Sequence, residues 1–278
     1  MSSPQDFDLA RSYPRFTTSF RIQHAVMALS FLVLTVTGLP QKYIYLNSHF
    51  LDDVIELLGG IEAVRLQHRI AATVLMLVTV YHLVEVAYRV LVCRAGLSMM
   101  PRFQDTVDAW RRIRYNLGLV AEPPRADRFA WEEKLEYWSL VWGTVIMIVT
   151  GFMLWNPIAT ARFLDGQFLP AAQVVHGGEA LLAILAVMVW HFYAVHLRQW
   201  NRSMFTGGLS EHEMEEEHPL ELERIKAGTT DPDLDPRELE RRRWWFLPVA
   251  GVVTAVLLAG IYWFVTFEQT AIITLPAP

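Results

Sequence analysis

Apolar residues in this chain run in long blocks, and the polar residues gather between them. Five blocks, approximately 22–40, 70–92, 138–155, 171–197 and 244–266, approach the roughly 20 helical residues that cross a bilayer core of about 30 Å. Backbone groups in lipid must pair within their own segment, so each block predicts a transmembrane helix. The two-residue alternation of barrel strands is absent. The pattern predicts an all-α membrane protein. A four-helix transmembrane bundle occupies residues 1–205, and a fifth C-terminal transmembrane helix with an outer tail occupies 244–278.

Two stretches between the blocks differ in kind. In the loop 91–136, Phe103, Val107, Trp110, Ile113 and Leu117 recur at helical spacing with Arg111, Arg112 and Arg114 among them. This predicts an amphipathic helix, lying on membrane lipid of the inner leaflet or packed on another subunit. The segment 206–243 is acidic and then Pro- and Asp-rich, which reads as a partly ordered cytoplasmic linker with His212 and His218 solvated.

Charge supplies orientation. The chain is 53% apolar with a net charge of −5, unevenly placed. Basic residues crowd 89–136, while 156–170 carries only Arg162. Lys- and Arg-rich loops mark the cytoplasmic side. The N-terminus, 89–136 and 198–243 are therefore expected inside, and the C-terminal tail outside. The first block is too long for a signal peptide and lacks a small-residue cleavage site. The single cysteine, Cys93, allows no intrachain disulfide, and there is no CxxCH for c-type haem. Nothing in the charge pattern suggests a nucleic-acid partner.

The chemistry lies in the histidines. Six of nine, His24, His68, His82, His176, His191 and His196, fall in or at the rims of the apolar blocks. Polar side chains at such depth read first as functional. The alternating direction of the spans places His68 and His176 in an outer layer and His24, His82, His191 and His196 in an inner one. At about 100° per residue, the 14-residue step from His68 to His82 returns within roughly 40° of one face, and the 15-residue step from His176 to His191 within roughly 60°. Each step rises about 21–22 Å. Facing imidazoles in two layers suit two stacked b-type haems, each iron taking one nitrogen from either side. Gly177 and Gly178 leave room for a flat porphyrin beside His176, and Arg65 and Arg69 could meet its propionates. Zinc and di-iron sites would need carboxylates grouped with the histidines. Only Glu85 and Glu179 lie well inside, at opposite ends.

Lys134-Leu135-Glu136-Tyr137-Trp138-Ser139, Val149-Thr150-Gly151, Leu154-Trp155-Asn156-Pro157, His191-Phe192-Tyr193 and Glu217-His218-Pro219 follow one another in order. With the histidines of spans one, two and four, they resemble the membrane cytochrome b (gamma) subunits of respiratory formate dehydrogenases, and more loosely those of nickel–iron hydrogenases. The resemblance covers roughly 13–226 and omits the fifth span. It implies a multi-pass protein of the bacterial inner membrane. It also implies an outer haem b bound by His68 and His176, and an inner haem b bound by His24 and His191. Quinone, menaquinone or ubiquinone, would bind near the opening of span three, here Glu132, Glu133 and Lys134. The 15-residue spacing in span four is one residue longer than that family's. His82 and His196 have no counterpart there. They could hold a third haem, or His82 could replace His24 as the inner ligand.

The function expected is that of a b-type cytochrome subunit passing electrons between an outer-face partner and the quinone pool. The haem brings the redox chemistry, and the chain brings ligands, burial and spacing. No iron–sulfur, nickel or molybdenum motif and no substrate dehydrogenase site is present. The partner is expected to be an iron–sulfur subunit or a multihaem c-type cytochrome. The rival reading is a non-redox, His-bearing membrane transporter or receptor.

Overall fold

The computed structural model describes residues 12–44, 48–229 and 234–267. The expected outer tail beyond 267 and Asp231-Pro232-Asp233 lie outside the described residues. Chain order runs β1 (Tyr13–Pro14), α1 (Thr18–Lys42), α2 (His49–Leu57), α3 (Ile61–Leu91), α4 (Phe103–Asn116), α5 (Trp131–Trp155), α6 (Pro157–Phe163), α7 (Phe168–Leu185), α8 (Ser203–Thr206), β2 (Gly208–Leu209), α9 (Glu211–Glu217), α10 (Pro219–Lys226) and α11 (Pro236–Thr266). α7 continues to Arg198 through π-helical turns at Ala186–His191 and Tyr193–Arg198.

Five helices among the described residues are long and apolar enough to cross a membrane: α1, α3, α5, the run Phe168–Arg198 and α11. α3 begins at Ile61 and α5 at Trp131, several residues before their apolar blocks. Their first turns are polar, with Glu62 in one and Glu132 and Glu133 in the other. Such acids suit the positive end of a helix dipole, but hydropathy registers only the part in lipid. Gly59 and Gly60, with φ of +93° and +90°, make the turn between α2 and α3 in a region that suits glycine. The spans expose their apolar side chains: none of the most apolar window of Phe168–Arg198 or of α11 is buried (0%). Lipid solvates such surfaces, so helix association rests on packing and polar contacts instead.

The chain divides into two compact units. The first comprises Met1–Ile22, Glu85–Leu140 and Arg198–Leu247, and the second Gln23–Val84, Val141–Leu197 and Pro248–Pro278. In the first, β1 and β2 pair antiparallel, and Leu209, Met214 and Leu222 form a small core under Tyr13 and Ile225. Beside it lies a buried polar network. Arg15, 5% exposed, donates to the Glu221 carboxylate, and its Nη2 donates to the Arg128 carbonyl at 2.6 Å. The same Nη2 lies 3.1 Å from His218 Nε2. His218 Nδ1 lies 2.8 Å from the Asp127 carbonyl, which can only accept, so Nδ1 carries the proton and Nε2 accepts from Arg15. Arg128 closes the network on Glu221 at 2.7 Å.

These contacts correct the reading of His218 in the segment 206–243. Residues 208–226 form β2, α9 and α10, and His218, read as solvated, is 3% exposed. Its burial comes from partners far along the chain that local composition cannot reveal.

α4 is fastened along one side. Lys134 Nζ meets Asp105 Oδ1 at 2.7 Å and Arg112 meets Glu132 at 3.3 Å. Asp105 and Arg112, seven residues apart, share that side. The opposite side exposes Phe103 (83%), Trp110 (62%) and Leu117 (68%) with Arg111 and Arg114 nearby. The predicted amphipathic helix is therefore present.

The fifth span is seated in both units. In the first, Arg242 donates to the Leu91 carbonyl at 2.9 Å, and Arg243 to the Tyr88 hydroxyl at 2.7 Å. In the second, Trp263 stacks on Phe152 at 5.7 Å, and Phe264 packs edge-on against Trp155 at 5.1 Å.

Candidate functional site

Within the second unit the histidines meet as facing pairs. His68 of α3 and His176 of α7 have ring centres 6.4 Å apart. His24 of α1 and His191, in the first π-helical turn, have centres 6.3 Å apart. Two metal–imidazole bonds of about 2.0–2.1 Å, plus about 1.1–1.2 Å from each nitrogen to its ring centre, separate two axial imidazoles by about 6.4 Å. Both pairs have this spacing, which fits one metal atom between them.

The His68/His176 pair also has a fixed tautomer. Thr37 Oγ1 lies 2.9 Å from His68 Nδ1, and Thr150 Oγ1 lies 2.9 Å from His176 Nδ1. Each hydroxyl already donates its single proton back along its own helix, Thr37 to the Val33 carbonyl at 2.6 Å and Thr150 to the Ile146 carbonyl at 2.7 Å. Toward the imidazole each can only accept. Nδ1 therefore carries the proton, and Nε2 keeps the lone pair that a metal takes. The next residue in each helix is a glycine. A Cβ at Gly38 would sit 3.2 Å from His68 Cε1, and one at Gly151 3.5 Å from His176 Cε1. The two Thr-Gly steps, an echo visible in the sequence, are two copies of one contact.

The π turn accounts for the long spacing in span four. A turn closed by i→i+5 bonds takes one residue more than an α turn. The 15-residue step from His176 to His191 thus advances the helix about as far as a 14-residue step would, and the face is kept.

The other histidines lie elsewhere in the same unit. His82 Nδ1 is 2.8 Å from Gln23 Oε1, which likewise leaves Nε2 as its lone-pair nitrogen. His196 packs against Phe192 with ring centres 5.4 Å apart. Cations border the outer pair. Lys42 Nζ lies against Gly177, and the Arg69 guanidinium sits 4.6 Å from the Trp155 ring centre. Arg65 instead pairs with Glu62 at 2.7 Å on an exposed surface. Glu179, one turn on from His176, rests its carboxylate against Gly143, where a Cβ would come within 2.6 Å.

The residues expected at a quinone site lie in the first unit, and each has a partner. Glu133 caps its helix by accepting from the Ala130 N–H at 2.6 Å. Lys134 is paired with Asp105, and Glu132 with Arg112. Glu132 Oε2 is buried with no hydrogen-bond partner among the described residues.

What the sequence reading missed is the threonine pair. The signal was there, as the repeated Thr-Gly, but its meaning depends on which helix stands opposite.

The chain is similar to known proteins. The family described as prokaryotic cytochrome b561 matches residues 15–207. The nitrate-inducible formate dehydrogenase cytochrome b556(Fdn) subunit of Escherichia coli (strain K12) is 22% identical over 98 residues, 34% of this chain and 45% of the relative. Over that match the chain spans less than half of the relative's length. The formate dehydrogenase cytochrome b556(fdo) subunit of the same strain is 19% identical over 215 residues, 77% of this chain and 94% of the relative.

Proposed function

Because the chain belongs to the prokaryotic cytochrome b561 family, we propose that it is the cytochrome b subunit of a membrane redox complex, carrying electrons between an outer-face partner and quinone at the inner face. Membership makes it a multi-pass membrane b-type cytochrome of electron transport. The two facing imidazole pairs carry the finer reading. His68 and His176 hold an outer haem b, and His24 and His191 an inner one. Bound there, haem supplies a one-electron iron couple in each layer. The protein fixes ligand tautomer and spacing, and surrounds both pairs with apolar helix. Lys42 and Arg69 are placed to meet the outer propionates. His82 and His196 are the ligand candidates for a third haem.

The relatives' names place them in formate dehydrogenase. An iron–sulfur subunit or a multihaem c-type cytochrome is the partner we assign on the outer face. At the opening of α5 we assign quinone, with Glu132 Oε2 as the proton-exchanging atom. The Lys- and Arg-rich segments support an N-terminus in the cytoplasm and a C-terminus outside.

The test is spectroscopic. A dithionite-reduced minus oxidised spectrum of the purified protein is expected to show a b-type α-band, with two haems per chain. Three per chain brings in His82 and His196. No α-band sinks the proposal and leaves the transporter or receptor reading.

The free face of α4 fits anionic lipid of the inner leaflet, since aromatic and leucine side chains alternate there with Arg111 and Arg114. Replacing both arginines by glutamine is expected to lower the anionic phospholipid retained after purification, with the haem spectrum unchanged. Equal retention would instead favour a protein partner on this face.

A further inference from the structure

Resting on the reading of His68 and His176 as ligands of one haem, we infer that Thr37 and Thr150 are positioning residues that set its potential through matched hydrogen bonds to the two axial imidazoles. The observation is the pairing itself. Two threonines on different helices, α1 and α5, each accept from an Nδ1–H at 2.9 Å. Each hydroxyl is locked as an acceptor by its own backbone bond, at 2.6 Å and 2.7 Å. Each is followed by a glycine that lets the ring lie close. A threonine whose hydroxyl bonds back to its own helix needs no imidazole partner; at His68 the Leu34 carbonyl of the same helix is a further acceptor beside Thr37.

The physical consequence has a sign. An acceptor on Nδ1–H draws that proton outward and makes Nε2 a stronger donor to a metal. A stronger donor favours the ferric state and lowers the potential. Both axial ligands carry the bond, so the effects add at one iron. The bonds also hold each ring against rotation, because the acceptor is fixed to a helix backbone. The arrangement uses α1 and α5 symmetrically, one helix behind each ligand.

The test uses the full chain in its membrane complex, with Thr37→Val, Thr150→Val and the double variant. Valine keeps the shape and removes the acceptor. Haem content is read first, by pyridine haemochrome, and then potentiometric titration resolves the haems. Each valine is expected to raise one haem's midpoint potential by about three- to tenfold in its reduction constant, ~30–60 mV at 59 mV per decade for one electron. Both single variants should move the same haem, the double variant should move it further, and Thr37→Ser and Thr150→Ser should restore it. Unchanged potentials at full haem content overturn the inference, as do shifts of two different haems. If a valine variant loses haem, the serine variant decides: recovery of haem and potential supports the hydroxyl role, and loss in both overturns it. Failure of the underlying ligand assignment is separate, because His68→Ala or His176→Ala would then leave haem content intact.

Discussion

Replacing His68 or His176 by alanine removes one and the same haem. On the proposed reading the two residues would hold one metal between them, and their ring centres, 6.4 Å apart, fit that. Losing either would leave one imidazole where the proposed site uses two. The expected result is a fall from two haems per chain to one, and a potentiometric titration that simplifies to a single component. His24→Ala or His191→Ala should remove the other haem and spare this one, since their rings form the separate pair at 6.3 Å. Added imidazole should restore part of the lost absorbance, because alanine leaves a cavity the size of the missing ring. Loss of different haems from the His68 and His176 variants would break the pairing. Loss of all haem from both would mean that the layers do not bind independently.

Much of this arrangement is written in the chain, and the parts that are not have a common cause. The spans follow from hydropathy because lipid selects on it directly. The two histidine layers follow from helical periodicity, since depth and azimuth are both fixed by residue number. The starts of α3 and α5 were set too late because Glu62 and Glu132 belong to the helix but not to lipid. The 15-residue spacing in span four looked like a misfit until the π turn at Ala186–His191 absorbed the extra residue. A widened turn leaves no mark in composition. Thr37 and Thr150 each looked like an ordinary span residue, for a hydroxyl that bonds its own backbone is common in helices. Only the imidazole opposite gives it a second role. Nothing in the residues around Arg15 singles it out. Its place in a buried network depends on Glu221 and His218, more than 200 residues away. Local pattern predicts what an element is, and long-range pairing decides what a polar residue in it is for.

That network is where the second large effect is expected. Glu221 accepts from Arg15 and from Arg128, and Arg15 is 5% exposed. Glu221→Ala strands the Arg15 guanidinium, whose pKa burial already pushes below its ordinary value against the pull of Glu221. A buried charge that loses its partner costs on the order of 3–5 kcal/mol. Amide hydrogen exchange should then rise through β1, β2, α9 and α10. Replacing both partners, Arg15→Met with Glu221→Leu, should recover most of the protection, because neither charge of the buried pair is left without the other. If the double variant exchanges as fast as the single one, the network contributes shape and not charge balance. Protonation of His218 should act in the same direction as Glu221→Ala. Burial, and then the neighbouring Arg15 charge, lower His218 to about 4. Its contribution is complete above its ordinary value near 6.5 and is lost as pH falls from there toward 4, at a cost of about 3 kcal/mol. Glu217, raised by burial, works in the opposite sense as pH falls toward its ordinary 4.5, so the net slope should be shallower than His218 alone gives. The His218 part is read as a difference: between pH 7 and pH 5 this unit should lose more protection in the protein than in His218→Gln, which can still donate to the Asp127 carbonyl.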